Sequence, residues 1–142
     1  MPLGNLTSQI FANIYLNQLD QFAKHRLGEK FYIRYTDDFV IIGNNQAELT
    51  KLITEIDCFL KSKLRLGLHP KKVTVRKLRQ GIDFLGYVIL PHYCLLRTKS
   101  KKRMLKRINQ QNFASYSGLL AHCNGYELGE KILLSLEMDK GE

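Results

Sequence analysis

The sequence predicts an α+β fold in which antiparallel strand pairs pack with helices. Segments of helical and strand periodicity follow one another as helix, hairpin, helix, hairpin and helical tail, and no regular βαβ alternation is present. The 142 residues are 44% hydrophobic, which is enough for a core without disulfide bonds. The three cysteines include no CxxC pair, which argues against a disulfide framework and suits a reducing compartment.

The first element is predicted to be a helix over about residues 8–26. Apolar residues at positions 10–22 recur with helical spacing, so that one face can pack against a core. Thr7 or Ser8 is a suitable N-cap, and Gly28 can end the helix in a left-handed conformation.

Residues 31–43 (FYIRYTDDFVIIG) predict a β-hairpin. Two runs of apolar, β-branched and aromatic residues flank a polar segment, so Asp37 and Asp38 are expected at the tip. The turn lacks the Gly or Asn that a tight primed turn favours. One face of the hairpin is expected to be buried through Phe31, Ile33, Phe39 and Ile41.

A second helix and a second hairpin are predicted next. Asn45 can cap the helix, Glu48 can complete a capping box, and an apolar stripe continues to about residue 65. Residues 71–78 and the apolar run at 82–90 then predict the two strands of a hairpin.

The remaining residues are predicted to form a helical tail. Residues 97–111 are strongly basic with a thin apolar stripe, and Thr98 or Ser100 is a suitable cap for this helix. Residues 115–123 and 127–137 predict two further short helices.

The charge of the chain is strongly positive and unevenly placed. The formal net charge is +9, yet residues 61–107 alone carry +14, from 15 Lys and Arg and one acid, and the rest carries −5. Such a band favours a polyanionic partner, most often nucleic acid, over an anionic membrane surface. A solvated basic surface on a structural protein is the alternative. With no signal peptide and no long apolar run, a cytoplasmic location without a membrane partner is expected.

Asp37 and Asp38 are the candidate metal ligands. Adjacent carboxylates repel each other unless a positive group lies beside them. A hard divalent cation such as Mg²⁺ takes oxygen ligands and leaves room for phosphate oxygens, as phosphoryl transfer requires. The alternative is a polar turn that binds no metal. The His and Cys residues follow no common zinc spacing, so a zinc site is not indicated.

Four ordered segments resemble segments of reverse transcriptases. Tyr35–Asp38 (YTDD) is similar to the YxDD box, and Gly4–Gln9 (GNLTSQ) with the following helix resembles the loop and helix that precede this box. Leu66–Lys72 (LGLHPKK) resembles the segment after the box, where the family often reads LxLNxxKT, although His and Val replace that Asn and Thr. Phe84–Tyr87 (FLGY) resembles the primer-grip hairpin.

The Ser8-Gln9 pair bears on the subclass. Group II intron enzymes usually carry Ser-Pro at this place, whereas diversity-generating retroelement enzymes usually carry Ser-Gln. The pair therefore favours a bacterial or phage-borne retroelement enzyme of the diversity-generating type. Group II intron-like enzymes are the next most similar, and retron-like and phage-defence relatives share much of the same pattern.

The resemblance implies a right-hand polymerase. Residues 1–92 would be part of the palm, and residues 93–142 the start of a helical thumb. The implied partners are template RNA, a DNA primer and deoxynucleoside triphosphates, and the implied cofactor is Mg²⁺, for which Mn²⁺ is a substitute.

The resemblance also implies roles for individual residues. Asp37 would bind the catalytic metal, Asp38 would support the site, and Lys72 would be a general acid toward pyrophosphate or an ordinary phosphate contact. Nucleotide and template would lie near Tyr35, Gly4, Ser8 and Gln9. The primer terminus would be held by Phe84, Leu85, Gly86 and Tyr87, the first two of which core packing explains equally well. The nucleic-acid backbone would be contacted by Lys71, Arg97, Lys101, Lys102, Arg103, Lys106 and Arg107.

One functional group of the family is not found in this sequence. The family supplies another metal-binding Asp from an earlier strand, and Asp20 lies in the wrong element to replace it. We therefore expect a C-terminal fragment that is inactive alone and that needs the N-terminal part of the enzyme or an accessory protein. A non-catalytic RNA-binding module derived from a reverse transcriptase is the alternative. We also expect an open strand edge and an uncovered apolar face, and hence aggregation or dimers.

Overall fold

A computed structural model of the chain describes residues 6–138, with the side chains described up to residue 134. The chain divides between Val75 and Arg76 into two compact units, and each is described by itself. Both units combine helices with antiparallel strands, so the predicted α+β class is confirmed. None of the helices in residues 6–138 combines the length and the apolar character of a bilayer-spanning segment.

The first unit begins with α1 (Leu6–Gln21), which continues into a wider π-helical turn over Phe22–Arg26. Gly28 has a φ of +73°, and the Glu29 N–H donates to the Ala23 carbonyl oxygen at 3.0 Å. The predicted helix and its glycine end are therefore confirmed. The two residues predicted as N-cap lie inside the first turn of the helix, so that prediction is wrong.

The predicted first hairpin is formed by β1 (Tyr32–Tyr35) and β2 (Asp38–Ile41). The register pairs Tyr32 with Ile41, Ile33 with Val40, Arg34 with Phe39 and Tyr35 with Asp38. Paired residues lie on the same face of a sheet, and alternate residues of a strand lie on opposite faces. Arg34 therefore shares its face with Phe39, not with Ile33.

The two faces of this hairpin differ in burial. Phe39 and Ile41 pack against the core of the first unit. Phe31 and Ile33 are 68% and 57% exposed. The prediction that these four side chains share one buried face is wrong, because the period of two places them on opposite faces.

The core of the first unit joins α1 to α2 (Gln46–Phe59) and to the π-helical turn that follows α2, Leu60–Leu64. Its buried side chains are Leu19, Ile56, Leu60 and Leu64. Asn45 caps α2 as predicted: its Oδ1 accepts the Ala47 N–H at 2.9 Å, and its Nδ2 donates to the Glu48 carboxylate at 3.2 Å.

The second unit contains an antiparallel sheet of β3 (Ile82–Phe84), β4 (Tyr87–Ile89) and β5 (Cys94–Leu96). The chain reverses at Leu85 and Gly86, whose φ values of +53° and +87° give the sign pattern of a type I′ turn. The prediction of a hairpin between residues 71–78 and 82–90 is wrong, because the apolar run itself folds back at Gly86. Residues 71–77 form no strand.

The short strand β5 is not indicated by the sequence pattern. It pairs with β4, and its first residue, Cys94, exchanges two hydrogen bonds with Asn124, 30 positions later. The Cys94 N–H donates to Asn124 Oδ1 at 3.1 Å, and the Asn124 N–H donates to the Cys94 carbonyl oxygen at 2.8 Å.

Three helices complete the second unit: α3 (Thr98–Arg107), α4 (Phe113–Ala121) and α5 (Tyr126–Met138). The predicted helical tail is therefore confirmed. The buried side chains of this unit's apolar core are Met104, Leu120 and Ile132. The residue before α3 is Arg97, which makes no side-chain cap bond, so the predicted cap at Thr98 or Ser100 is wrong.

Candidate functional site

The two adjacent acids lie at the tip of the first hairpin, as the sequence predicted. Thr36 and Asp37 form the two-residue turn, and Asp38 is the first residue of β2, paired with Tyr35. Both acids are exposed, and Tyr35 is 59% exposed on the face of the hairpin that carries Asp38. The arrangement presents two carboxylates and one aromatic ring to solvent from a hydrogen-bonded support.

The turn contains a residue in an unfavourable backbone conformation. Thr36 has a φ of +52°, whereas Asp37 has no positive φ, which is the sign pattern of a type II′ turn. Glycine is favoured at this position, and a β-branched residue there costs about 1–3 kcal/mol. The conformation persists because neighbouring groups hold it.

Arg34 supplies the main support beneath the turn. Its Nη1 donates to the Thr36 carbonyl oxygen at 2.6 Å and to Asn13 Oδ1 at 3.0 Å. Its Nε and Nη2 donate to the two carboxylate oxygens of Asp20 at 2.8 and 2.6 Å. One guanidinium therefore joins the turn to two positions of α1.

Asp20 is the electrostatic partner of this guanidinium. The Arg34 and Asp20 side chains are only 10% and 22% exposed, and the Tyr32 hydroxyl also donates to Asp20 Oδ1 at 2.7 Å. The hydrogen bonds from Arg34 hold the pKa of Asp20 below its usual value, against the opposing effect of burial. Burial, and then the bond to this carboxylate, raise the pKa of Tyr32. Asp20 is thus an ionised partner of Arg34.

Arg34 is not among the site residues that the sequence predicts. The available signal was a lone cation within an apolar strand, immediately before Tyr35 of the YTDD segment. Its acidic partner lies 14 residues earlier in a helix, so no local pattern pairs the two.

The carboxylate pair fits part of a metal site. Mg²⁺ commonly takes one or two protein carboxylates and fills its other positions with water and substrate phosphates. Asp37 and Asp38 could supply two such ligands. Residues 6–138 contain no cluster of three or more His, Cys, Asp or Glu residues that could hold a metal ion.

Lys71 and Lys72 lie on a separate segment of the first unit. The Lys72 N–H closes a turn by donating to the His69 carbonyl oxygen at 2.9 Å. At the start of the segment, the Leu68 N–H donates to Asp57 Oδ1 at 3.0 Å. Lys61, with help from this N–H, holds the pKa of Asp57 below its usual value. No hydrogen bond or ion pair among the described residues joins Lys72 to the hairpin tip.

The other residues predicted near the nucleotide are in α1. Ser8 and Gln9 lie in its first turns, where Ser8 is half-buried and Gln9 is exposed. Gly4 lies outside the described residues.

The FLGY segment of the second unit is the turn between β3 and β4, and it is braced against the start of α3. The Arg97 N–H donates to the Gly86 carbonyl oxygen at 2.9 Å, and a Cβ at Gly86 would lie 3.3 Å from Ser100 Oγ. The Tyr87 hydroxyl donates to the Leu119 carbonyl oxygen at 3.0 Å. Leu85 at the tip is 48% exposed, whereas Phe84 is half-buried.

The predicted backbone-contact residues of α3 lie on its exposed surface. Met104 is the residue that α3 buries. The exposed cations are Lys101, Lys102, Arg103, Lys106 and Arg107. Arg97 differs from them, because it is half-buried and its Nε lies 3.2 Å from Asp83 Oδ2 in an ion pair.

Comparison with known proteins identifies the family. The family model described as reverse transcriptase (RNA-dependent DNA polymerase) matches residues 1–89, which include both hairpins and the segment between them. The COX1/OXI3 intron 2 protein of Saccharomyces cerevisiae is 28% identical over 58 residues, 40% of this chain. The matched part is 7% of that protein's length. With the YTDD hairpin, the following LGLHPKK segment and the FLGY turn in the matched order, the chain belongs to the reverse transcriptase family.

Proposed function

We propose that this chain forms part of an RNA-directed DNA polymerase that adds nucleotides to the 3′ end of a DNA primer on an RNA template. The observation that carries the proposal is the exposed pair Asp37 and Asp38 on a braced hairpin tip. Family membership supports it, because reverse transcriptases use divalent metals. The subclass remains a proposal: a bacterial or phage-borne retroelement enzyme of the diversity-generating or group II intron-like type.

In this proposal Asp37 and Asp38 hold Mg²⁺, or Mn²⁺ in its place. A divalent ion held by these two carboxylates would supply positive charge to offset the negative charge that develops during phosphoryl transfer. Tyr35, exposed beside Asp38, flanks the incoming nucleotide, and Ser8 and Gln9 contact nucleotide or template together with Gly4. The Lys72 ammonium donates a proton to the leaving pyrophosphate.

The second unit supplies the proposed primer contacts. The turn of Phe84–Tyr87 holds the primer terminus, and its bracing by the Arg97 N–H keeps the backbone of Gly86 in place. The exposed cations of α3, with Lys71 and Arg97, contact the phosphate backbone, where they fix position without reading sequence. The division into palm at residues 1–92 and thumb at residues 93–142 remains a prediction.

We further propose that the 142-residue chain does not polymerise alone. Two carboxylates give an incomplete site for a two-metal mechanism, and the described residues supply no third acid beside them. The proposed partner is the N-terminal part of the enzyme or an accessory protein.

Primer extension on an RNA template tests this function. The assay contains Mg²⁺ and all four deoxynucleoside triphosphates, with the chain alone or with the N-terminal part of the enzyme. We expect no extension by the chain alone and clear extension by the mixture. Asp37→Asn should abolish the extension by the mixture. The control Glu55→Gln, which changes an exposed acid on α2, should leave it intact. Extension by the chain alone would contradict the proposed inactivity. Extension in the mixture that survives Asp37→Asn would contradict the proposed site.

A non-catalytic nucleic-acid-binding module is the second candidate. The exposed cations of α3 favour it, together with exposed aromatic side chains of the same unit such as Tyr93 and Tyr126, which are 47% and 78% exposed and could stack on bases. In this candidate, RNA affinity falls with salt whether or not a divalent metal is present. A binding affinity that Asp37→Asn leaves unchanged in the presence of Mn²⁺ would favour the module.

A further inference from the structure

We propose that Arg34 is a positioning residue that sets the direction of the Asp37 carboxylate, and that Asp20 holds Arg34 for this task. The inference rests on the proposed metal role of Asp37 and Asp38 and adds to it a residue outside the YTDD motif. It makes α1 the support of the hairpin tip.

The hydrogen bonds of the Arg34 guanidinium fall into two groups, one to Asp20 and one to the turn and Asn13. Nε and Nη2 are both engaged by Asp20, in a bidentate pair that fixes the plane of the guanidinium. Nη1 is left to donate to the Thr36 carbonyl oxygen and to Asn13. A lysine ammonium cannot reproduce this planar fork, so the function is specific to arginine.

The hydrogen bond to the Thr36 carbonyl oxygen also restrains Asp37, because the two residues share a peptide group. The carbonyl oxygen of Thr36 belongs to the same planar peptide group as the N and Cα atoms of Asp37. Fixing that oxygen at 2.6 Å from Nη1 therefore fixes the Asp37 Cα. The Thr36 hydroxyl then donates to Asp37 Oδ1 at 3.0 Å, which orients the carboxylate itself.

The strained turn explains why such a support is needed. Thr36 is held at a φ of +52°, a region that β-branched residues avoid, so a free turn would favour other conformations. The bond from Arg34 opposes this relaxation. Because the Arg34 side chain is only 10% exposed, water competes little for its donors.

Charge and geometry make opposite predictions for a substitution of Arg34. By charge alone, loss of a cation near the tip would strengthen binding of a divalent metal ion. By geometry, loss of the support weakens binding, because partners that orient a metal ligand commonly contribute 10- to 100-fold in metal affinity. The direction of the change therefore distinguishes the two.

The experiment is an Mn²⁺ titration of the full 142-residue chain, followed by the electron paramagnetic resonance signal of free Mn²⁺. Its variants are Arg34→Gln and Arg34→Lys. The control is Tyr15→Phe, which removes another bond of α1, from the Tyr15 hydroxyl to the Leu64 carbonyl oxygen at 2.7 Å, without touching the turn. We expect about tenfold weaker binding for both Arg34 variants and less than about a twofold change for the control.

A second measurement reports the turn without any metal. Amide hydrogen exchange of a peptide that covers residues 35–40 should be faster in both Arg34 variants than in the wild type and the Tyr15→Phe control. If Arg34→Gln does not fold, as judged by circular dichroism, Arg34→Lys carries the test, because it keeps the charge that pairs with Asp20.

Two outcomes would overturn the inference. One is Mn²⁺ binding by the Arg34 variants that is as tight as in the wild type or tighter. The other is unchanged exchange in residues 35–40. If instead Asp37→Asn leaves Mn²⁺ binding unchanged, the proposed metal role fails, and the exchange measurement alone still decides whether Arg34 supports the turn.

Discussion

Replacement of Asp20 by asparagine tests the support of the hairpin tip through stability. Asparagine keeps the shape of the side chain but removes its charge. In the wild type two Arg34 donors each bond one carboxylate oxygen of Asp20, whereas asparagine offers them a single oxygen. The Arg34 side chain, 10% exposed, is then left as a poorly compensated cation.

The expected loss follows from these contacts. Breaking one partner of a fully buried ion pair costs about 3–5 kcal/mol, and exposed pairs contribute about 0–1 kcal/mol. Asp20 is 22% exposed, which lies between these cases but nearer the buried one. Asparagine also keeps an acceptor for the Tyr32 hydroxyl. We therefore expect Asp20→Asn to lower the free energy of unfolding of the first unit by about 2 kcal/mol at pH 7.

The effect has a defined pH dependence. Because the pKa of Asp20 is held below the usual carboxyl value of 3.8, its stabilisation is fully present above that pH. It is lost as the pH falls through the lower pKa of the folded state. The stability difference between wild type and Asp20→Asn should therefore be constant near neutral pH and shrink below about pH 4.

The assay is urea unfolding followed by circular dichroism at several pH values, with hydrogen exchange of α1 peptides to identify the transition of the first unit. Glu55→Gln, a charge removal at an exposed acid, is the control and should change stability by less than about 0.5 kcal/mol. A change of less than about 0.5 kcal/mol for Asp20→Asn at pH 7, or a difference that does not shrink in acid, would show that the Asp20–Arg34 pair does not stabilise the first unit.

Three further predictions follow from individual contacts. Thr36→Gly should raise the free energy of unfolding by about 1 kcal/mol in urea, because glycine tolerates the φ of +52°; a loss of stability would contradict the strain at this turn. Gly86→Ala should lower the thermal midpoint and cost more than about 1 kcal/mol of unfolding free energy, because Gly86 has a φ of +87° and Ser100 Oγ lies close by. The control Gly118→Ala in α4, where a Cβ meets nothing within 4 Å, should raise the midpoint; equal effects of the two variants would argue against a strict turn at Gly86. Joint replacement of Lys101, Lys102 and Arg103 by glutamine should reduce the slope of log affinity against log salt concentration for an RNA–DNA duplex by about 2–3. The same replacement at the exposed control residues Lys24, Lys30 and Lys51 should reduce the slope less, and equal slopes would exclude α3 as the contact surface.

The sequence predicted elements whose signals are local. The apolar stripes of α1 and α2 lie within single segments, as do the two apolar runs that flank Asp37 and Asp38. Gly28 and Asn45 mark helix ends for reasons that depend on their own backbone and side chain, so their roles could be inferred without tertiary structure.

Features that depend on distant partners could not be predicted in this way. The bond of Arg34 to Asp20 crosses from a strand to a helix, and that of Cys94 to Asn124 joins positions 30 residues apart. The inward position of Arg34 also made the predicted buried face of β1 wrong, whereas Phe39 and Ile41 of β2 do pack against the core. In the second hairpin, Gly86 lies inside an apolar run, so the sequence pattern predicts one strand over residues 82–90 where the chain in fact turns at Leu85 and Gly86.

The proposed function depends above all on the binding of a divalent metal ion by Asp37 and Asp38. The most direct measurement is the Mn²⁺ affinity of the wild-type chain, Asp37→Asn, Asp38→Asn and the Glu55→Gln control, obtained from the resonance signal of free Mn²⁺. Each hairpin substitution should weaken Mn²⁺ binding by about tenfold or more, and the control should leave it unchanged. Equal affinities for all four proteins would contradict it.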